Sequence, residues 1–406
     1  MKILVTHPGR QHSHQAALGL EHAGMLAGYW AGVPAVDAQA RHVPPWLRRH
    51  LARYAAVAID RRRARWFPAA PALRRLGDAL LPHAAAAHVD LAACRLFDRW
   101  AAAGLPRAGA DAVIACEISA LATFRAARRL GIPTILDAPS LHHRAQDRLH
   151  GTTDPPGLHR RIVRIKDREI ALADHVLTVS TLARESYLEA GVPADRVHAV
   201  MLGADLELFT PSPPDGALAG NADAGGTFRF LYCGAAIRRK GFDLLLDAFD
   251  RVAARQSAAR LTLVGPRGEP AMLGGSRGEG RIAAVGPIGQ QALAGELRRA
   301  DCLVLPSRND SYGMVVAEAL ACGVPVLISE MVGAKELVVP GRNGWIVPAG
   351  DAAALAERMA WCAANPEAVR GMREHCRRSA ESATWPAYHR RLAQLLCALV
   401  PERAAA

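Results

Sequence analysis

Ten short apolar runs, each closed by a turn and followed by a stretch of helical spacing, constrain this 406-residue chain more than any other feature. They lie at 2–6, 112–116, 133–136, 175–179, 197–201, 228–232, 260–264, 282–285, 302–305 and 324–328. They lack strict polar–apolar alternation, and such runs belong to strands covered on both faces. Strands alternating with helices build right-handed βαβ units and a parallel sheet. The pattern breaks at Thr210-Pro211-Ser212-Pro213-Pro214 and resumes after Gly225-Gly226-Thr227; between them proline and glycine punctuate and no apolar period crosses. The expected fold is α/β, with two doubly wound, Rossmann-like domains at 1–209 and 228–384 joined by a linker at 210–227. A last helix within 385–406 follows Trp385-Pro386 and is expected to pack back on the first domain. Parallel sheets bind ligands beyond the C-terminal ends of their strands, so two such domains face to face share one site in the cleft.

Composition narrows the class. Half of the residues are apolar and 22% are charged, which excludes a disordered or fibrous chain. No run approaches the roughly 18 apolar residues of a membrane span, and Met1–His7 reads as a buried strand rather than a signal peptide. Cysteines 94, 116, 233, 302, 322, 362, 376 and 397 stand singly with no CxxC pair, as core residues in a reducing compartment do. The expectation is a cytoplasmic protein.

Lysine and arginine number 50 against 38 acids, a net charge of +12, yet only Lys2, Lys166, Lys240 and Lys335 are lysines. A chain rich in Arg and Ala is also what a biased genomic base composition produces, so basicity alone points weakly to nucleic acid. Between 41 and 75, arginines 41, 48, 49, 53, 61, 62, 63, 65, 74 and 75 surround Trp46, Leu47, Leu51, Trp66 and Phe67, with Asp60 the single acid. Such a stretch suits a solvated helical face, or else an anionic membrane surface or acidic acceptor. No RRM, KH or zinc-finger pattern accompanies it, and no nucleic-acid partner is expected.

Four stretches place polar groups at strand ends. In Leu305–Pro325, Asp310 and Glu318 are separated by seven residues, and a helix begins near Gly313. A helix N-terminus suits a diphosphate, and carboxylates accept from sugar or ribose hydroxyls. The plainer alternative makes Asp310 a cap and Glu318 a surface residue. After the 228–232 run, Arg238, Arg239 and Lys240 precede Gly241, either as phosphate ligands or as a solvated basic turn. In His7-Pro8-Gly9-Arg10-Gln11-His12-Ser13-His14 there is one glycine and no G-x-G-x-x-G, which argues against a nicotinamide enzyme. Its three histidines have no acid near them in sequence, so loop groups facing a cleft are expected rather than a metal site. The last stretch, Ile135–His143, delivers a histidine to a strand's C-terminal edge, as a structural or a functional group.

Taken in order, these residues resemble the retaining glycosyltransferases of the GT-B fold, specifically glycosyltransferase family 4. The resemblance covers nearly the whole chain. It is strongest in Arg239-Lys240-Gly241-Phe242-Asp243, Val285-Gly286, the Asp310–Glu318 block, Ala321-Cys322-Gly323-Val324-Pro325, Glu336-Leu337-Val338 and Gly341-Arg342-Asn343-Gly344. Ala173-Asp174-His175-Val176, Ser180 and Gly203-Ala204-Asp205 extend it into the first domain. The family usually has Glu at both ends of the acid-x7-acid motif; Asp310 is one methylene shorter.

The resemblance implies that Asp310 and Ser311 face the donor sugar, that Tyr312, Gly313 and Met314 offer backbone donors to the diphosphate, and that Glu318 holds the ribose. It assigns Lys240 to the diphosphate. The family's partner arginine falls on Ala235, which leaves Arg238 or Arg239 to take its place. Gly286 would precede the loop around the base, Gly9 would lie under the diphosphate, and His142 best matches the first-domain active-site histidine, with His143 leaving the register open. The implied catalytic set is Lys240, Asp310 and His142. The implied activity is retaining transfer of a hexose-type sugar from a UDP- or GDP-sugar to a glycan or lipid-linked acceptor in cell-envelope polysaccharide synthesis. The mechanism implied is front-face, with no metal or other cofactor. A nucleotide-sugar 2-epimerase and a non-catalytic nucleotide-sugar binder are the alternatives. Residues 41–75 would add contact with the inner face of the plasma membrane.

Overall fold

The computed structural model describes residues 1–9, 12–32, 59–152, 154–212, 226–265 and 280–400. Among these, thirteen strands form two sheets whose neighbouring strands all run parallel. The first contains β1 (Ile3–His7), β2 (Leu26–Ala31), β3 (Ala64–Trp66), β4 (Ala112–Cys116), β5 (Thr134–Ala138), β6 (His175–Thr178) and β7 (Val197–Ala199), in spatial order β3-β2-β1-β4-β5-β6-β7. The second contains β8 (Phe228–Cys233), β9 (Ala259–Val264), β10 (Ile282–Gly286), β11 (Cys302–Leu305), β12 (Val326–Ser329) and β13 (Gly344–Val347), in order β10-β9-β8-β11-β12-β13. Each order reverses once, between β1 and β4 in the first sheet and between β8 and β11 in the second. Those are the switch points where doubly wound sheets open a crevice.

Three strands are not among the expected runs. β2 contains Gly28 between apolar residues, β3 is only three residues long within the arginine-rich stretch, and β13 closes an edge with Gly344-Trp345. Edge strands need little apolar signal because one side is unpaired. β5 also runs two residues beyond its expected end, which buries Asp137 at its tip. Arg41, Arg48, Arg49, Arg53, Trp46, Leu47 and Leu51 lie outside the described residues, as does most of the expected linker.

Buried acids settle one helix in the first domain. Helix Leu121–Arg129 starts at Ala120, which has no side-chain oxygen to cap it. Two neighbouring helices supply the acceptors instead. Glu169 accepts from the N–H groups of Ile118, Ala120 and Leu121 at 2.6, 2.9 and 3.1 Å. Asp98 accepts from Ala122 and Thr123 at 2.7 and 2.9 Å. Carboxylates are the preferred partners of such orphan donors. Burial pushes both carboxyls up, Glu169 to about 8, against the pull of the N–H groups. The Glu169 contact also holds Ile118 at φ 71°, a conformation that β-branched residues rarely adopt.

Helix Trp385–Leu399 begins with Thr384 accepting from the Ala387 N–H at 3.1 Å. Ala204, just before the second sheet's segment, bridges to Thr384, and its N–H donates to Ala383 O at 2.8 Å. The helix lies against Ser13–His22 of the first domain, where His389 Nε2 is 3.0 Å from Gln15 Oε1. Tyr388, Leu392 and Leu396 are its large buried residues, spaced for one helical face. No described helix is long and apolar enough to cross a membrane.

Candidate active site

The two loops that leave the second sheet's switch point are bound to each other. β8 leads to a 3-10 turn, Arg238–Lys240, and then to Gly241 at φ 69°. A side chain at Gly241 would collide with the Pro306 carbonyl after β11, so only glycine lets the loops meet. Arg308 then donates to the Arg238 carbonyl at 2.8 Å and forms a two-armed bridge to Asp243 at 2.6 and 2.8 Å. Arg239 donates to Asn309 O at 3.0 Å. Lys240 Nζ completes the seam as an ion pair with Asp310 Oδ2. The basic turn is therefore part of a built seam rather than a solvated feature.

The helix Met314–Ala321 starts at Gly313, whose φ is 84° and where a Cβ would sit 2.7 Å from Val332 Cγ1. No side chain caps it, so its first N–H groups remain available. Asp310 is not its cap. Glu318 lies one turn inside, 6% exposed, with no partner among the described residues, and burial pushes its carboxyl up to about 7. A surface role for Glu318 is thereby excluded. A buried acid with no partner, beside a cavity, is a feature of binding and catalytic sites.

The loop between β11 and this helix is also tied to the first sheet. Leu141 N donates to Ser311 Oγ at 3.1 Å, Ser180 Oγ donates to Ser311 O at 2.6 Å, and the Tyr312 hydroxyl donates to Leu202 O. The Tyr312 ring is buried and its hydroxyl committed, so only its backbone can serve a ligand. On the first-domain side, His12 Nε2 is 2.8 Å from Asp137 Oδ1. Burial alone would lower the imidazole, but Asp137 prevails and raises it, while His12 holds Asp137 below the ordinary carboxylate range.

These groups enclose a cavity of about 640 Å³. It brings together Arg239, Lys240, Asp310, Ser311, Tyr312, Gly313, Met314 and Glu318 from the second domain with His12 from the first. Arg238 does not reach it and lines a neighbouring cavity of about 700 Å³ instead. Gly9 and Gly286 are not on its wall; the Gly9 N–H is spent on His7 Nδ1 at 2.8 Å. His142 is not on the wall either. Its Nδ1 accepts from the Arg144 N–H at 3.2 Å as a helix cap, its ring packs edge-on against Tyr187, and burial pushes it down to about 3. The ring is thus neutral, with its Nδ1 committed to the helix cap. His142, His143 and Asp167 do place ligand atoms within 4.8 Å of one another, but Arg144 and Lys166 stand beside them and oppose a cation.

The His12–Asp137 pair went unrecognised in the sequence. His12 stood out only as one of three loop histidines, and its acid lies 125 residues away.

Residues 227–365 match the family model described as glycosyl transferases group 1. The chain has the GT-B fold, and its second domain matches the group 1 glycosyl transferase model. Sucrose-phosphate synthase from Thermosynechococcus elongatus superposes with a TM-score of 0.68 at 20% identity, over 98% of this chain and 99% of that one. Anabaena HepE in complex with UDP-glucose gives 0.67 at 17% identity, over 98% and 100%. At these identities the likeness establishes the GT-B fold. Among curated relatives, a D-inositol 3-phosphate glycosyltransferase of Xylanimonas cellulosilytica is 29% identical over 255 residues, 59% of this chain and 60% of its own. One from Catenulispora acidiphila is 34% identical over 203 residues, 46% and 48% of the two chains. The GT-B chain thus spans about half to three-fifths of the curated relatives it matches.

Proposed function

We propose that this GT-B protein is a retaining glycosyltransferase that moves a hexose-type sugar from a UDP- or GDP-sugar to a hydroxyl of a glycan or lipid-linked acceptor. The observation that carries the reading is the Lys240–Asp310–Glu318 constellation around an uncapped helix start, within one cavity. Helix N–H groups and Lys240 receive the diphosphate, Glu318 accepts from the ribose hydroxyls, and Asp310 faces the sugar. In the reaction the bond from the anomeric carbon to the phosphate oxygen breaks. The acceptor oxygen bonds to that carbon on the same face, and its proton passes to the departing phosphate. The protein's task is to stabilise charge on that phosphate with fixed groups and to exclude water. Lys240 and Arg239 supply part of the neutralising charge, and the reading asks for no divalent cation.

HepE is described with UDP-glucose, which supports a nucleotide-sugar donor. Both curated relatives reported above are named glycosyltransferases, and nothing favours the epimerase alternative. Helix Ala69–Leu80 presents Leu73, Leu76 and Leu80, up to 74% exposed, beside Arg74 and Arg75. That face supports a cytoplasmic protein working against an anionic membrane, where a lipid-linked acceptor of cell-envelope polysaccharide synthesis resides.

The deciding experiment measures product formation from UDP- and GDP-sugars with lipid-linked glycan or D-inositol 3-phosphate as acceptor, with and without EDTA. Retained anomeric configuration and EDTA resistance are expected. Donor epimerisation without acceptor, or a strict magnesium requirement, would overturn the reading.

A further inference from the structure

The second domain brings Lys240 and Arg239 to the donor cavity, and Arg239 commits one arm to the Asn309 carbonyl. Ala235 occupies the place where the family resemblance implies a second diphosphate cation, and Arg238 lines a different cavity. A departing nucleoside diphosphate carries two to three negative charges, so this site is a cation short on its own side.

The first domain supplies one. His12 immediately precedes helix Ser13–His22 and lines the same cavity as Lys240. Its Nε2 meets Asp137 Oδ1 at 2.8 Å, with the two side chains only 9% and 11% exposed. Among the described residues, Asp137's carboxylate has no other hydrogen bond and His12 Nδ1 has no partner. A buried carboxylate on one ring nitrogen fixes the tautomer, favours the imidazolium and leaves the other N–H to act on a ligand. A pure brace between the two loops would need neither the cavity position nor the unpartnered nitrogen.

We propose that His12 is a phosphate ligand of the donor site, its Nδ1–H donating to the terminal phosphate of the nucleoside diphosphate, with Asp137 as the positioning residue that orients the ring. The assignment rests on the donor-site reading above. It divides the diphosphate's cations between the two domains, so the leaving group is fully neutralised only when both enclose it.

Isothermal titration of the full chain with UDP, UMP, GDP and GMP tests this, using wild type, His12→Gln and Asp137→Asn. The ratio of diphosphate to monophosphate affinity is the readout, because a folding defect lowers both affinities together. The wild type is expected to prefer one diphosphate. His12→Gln is expected to lose roughly tenfold or more of that preference, with monophosphate affinity within about twofold of wild type. Asp137→Asn keeps a partner for the ring but removes the charge, and is expected to shift the ratio the same way. If His12→Gln does not fold, the ratio in Asp137→Asn decides. A wild-type ratio in the folded variants overturns the role of His12 while leaving the donor site intact. A wild type that binds none of the four overturns the donor-site reading and this inference together.

Discussion

Lys240 and Asp310 neutralise each other across the seam between two loops, with side chains 20% and 12% exposed. A diphosphate arriving at Lys240 competes with that carboxylate, so donor binding must loosen the pair. Asp310→Asn is therefore expected to bind UDP or GDP at least as tightly as wild type while losing about 100-fold in transfer. Lys240→Ala is expected to lose both binding and turnover, with about 3 kcal/mol of transition-state stabilisation gone. Titration calorimetry beside initial rates separates the two.

Glu318 makes nucleotide binding depend on pH. Its carboxyl, pushed up to about 7 by burial, is protonated below that pH in the free protein, and the acid form is a poorer acceptor for two ribose hydroxyls. Affinity for the nucleoside is expected to rise with pH to about 7 and then level, and Glu318→Gln is expected to flatten the curve.

The same group acts on stability with a fixed sign. Its folded-state value lies above the ordinary one of about 4.5, so its contribution is full below that value and is lost as pH rises through 7. The loss amounts to about 3 kcal/mol at most. Urea unfolding of wild type and Glu318→Gln at pH 5 and pH 8 should show the wild type losing ground to the variant at the higher pH.

Glu169 is expected to matter for folding rather than chemistry. Glu169→Ala strands three backbone donors at 118, 120 and 121 and should cost about 2–4 kcal/mol, whereas Glu169→Gln retains one acceptor and should cost less. Denaturant midpoints at constant slope measure both.

The membrane reading has its own variants. Leu76 and Leu80 are 56% and 74% exposed. Leu76→Ser with Leu80→Ser is expected to reduce flotation with phosphatidylglycerol vesicles several-fold and leave soluble-acceptor rates unchanged. Arg63 is a poor target because it is paired with Glu21 at 3.0 Å. Undiminished flotation would leave that helix with no membrane role.

Ten of the thirteen described strands were legible because they declare themselves as apolar runs, most of them buried on both faces, although β10 at its sheet's edge is largely exposed. β3 and β13 lie at edges, where three or four residues suffice, and β2 is interrupted by Gly28. The second-domain half of the site was legible for a similar reason: Lys240, Asp310 and Glu318 sit within continuous strand–loop–helix segments whose spacing survives in one dimension. The capping role of His142 was not legible, because a histidine after a strand looks the same whether it caps a helix or faces a cleft. His12 and Asp137 acquire meaning only when β1 and β5 come to lie on opposite sides of β4, an arrangement that local spacing does not encode.

The chain passes between the domains once after Ala204 and returns at Thr384, and those two points are bonded side by side. Two adjacent crossings act as an axle: they let the halves turn but resist sliding. Opening then becomes a single angular coordinate that releases Ser311 from both Leu141 and Ser180 at once. One pair of fluorescent labels placed across the mouth would follow the whole motion.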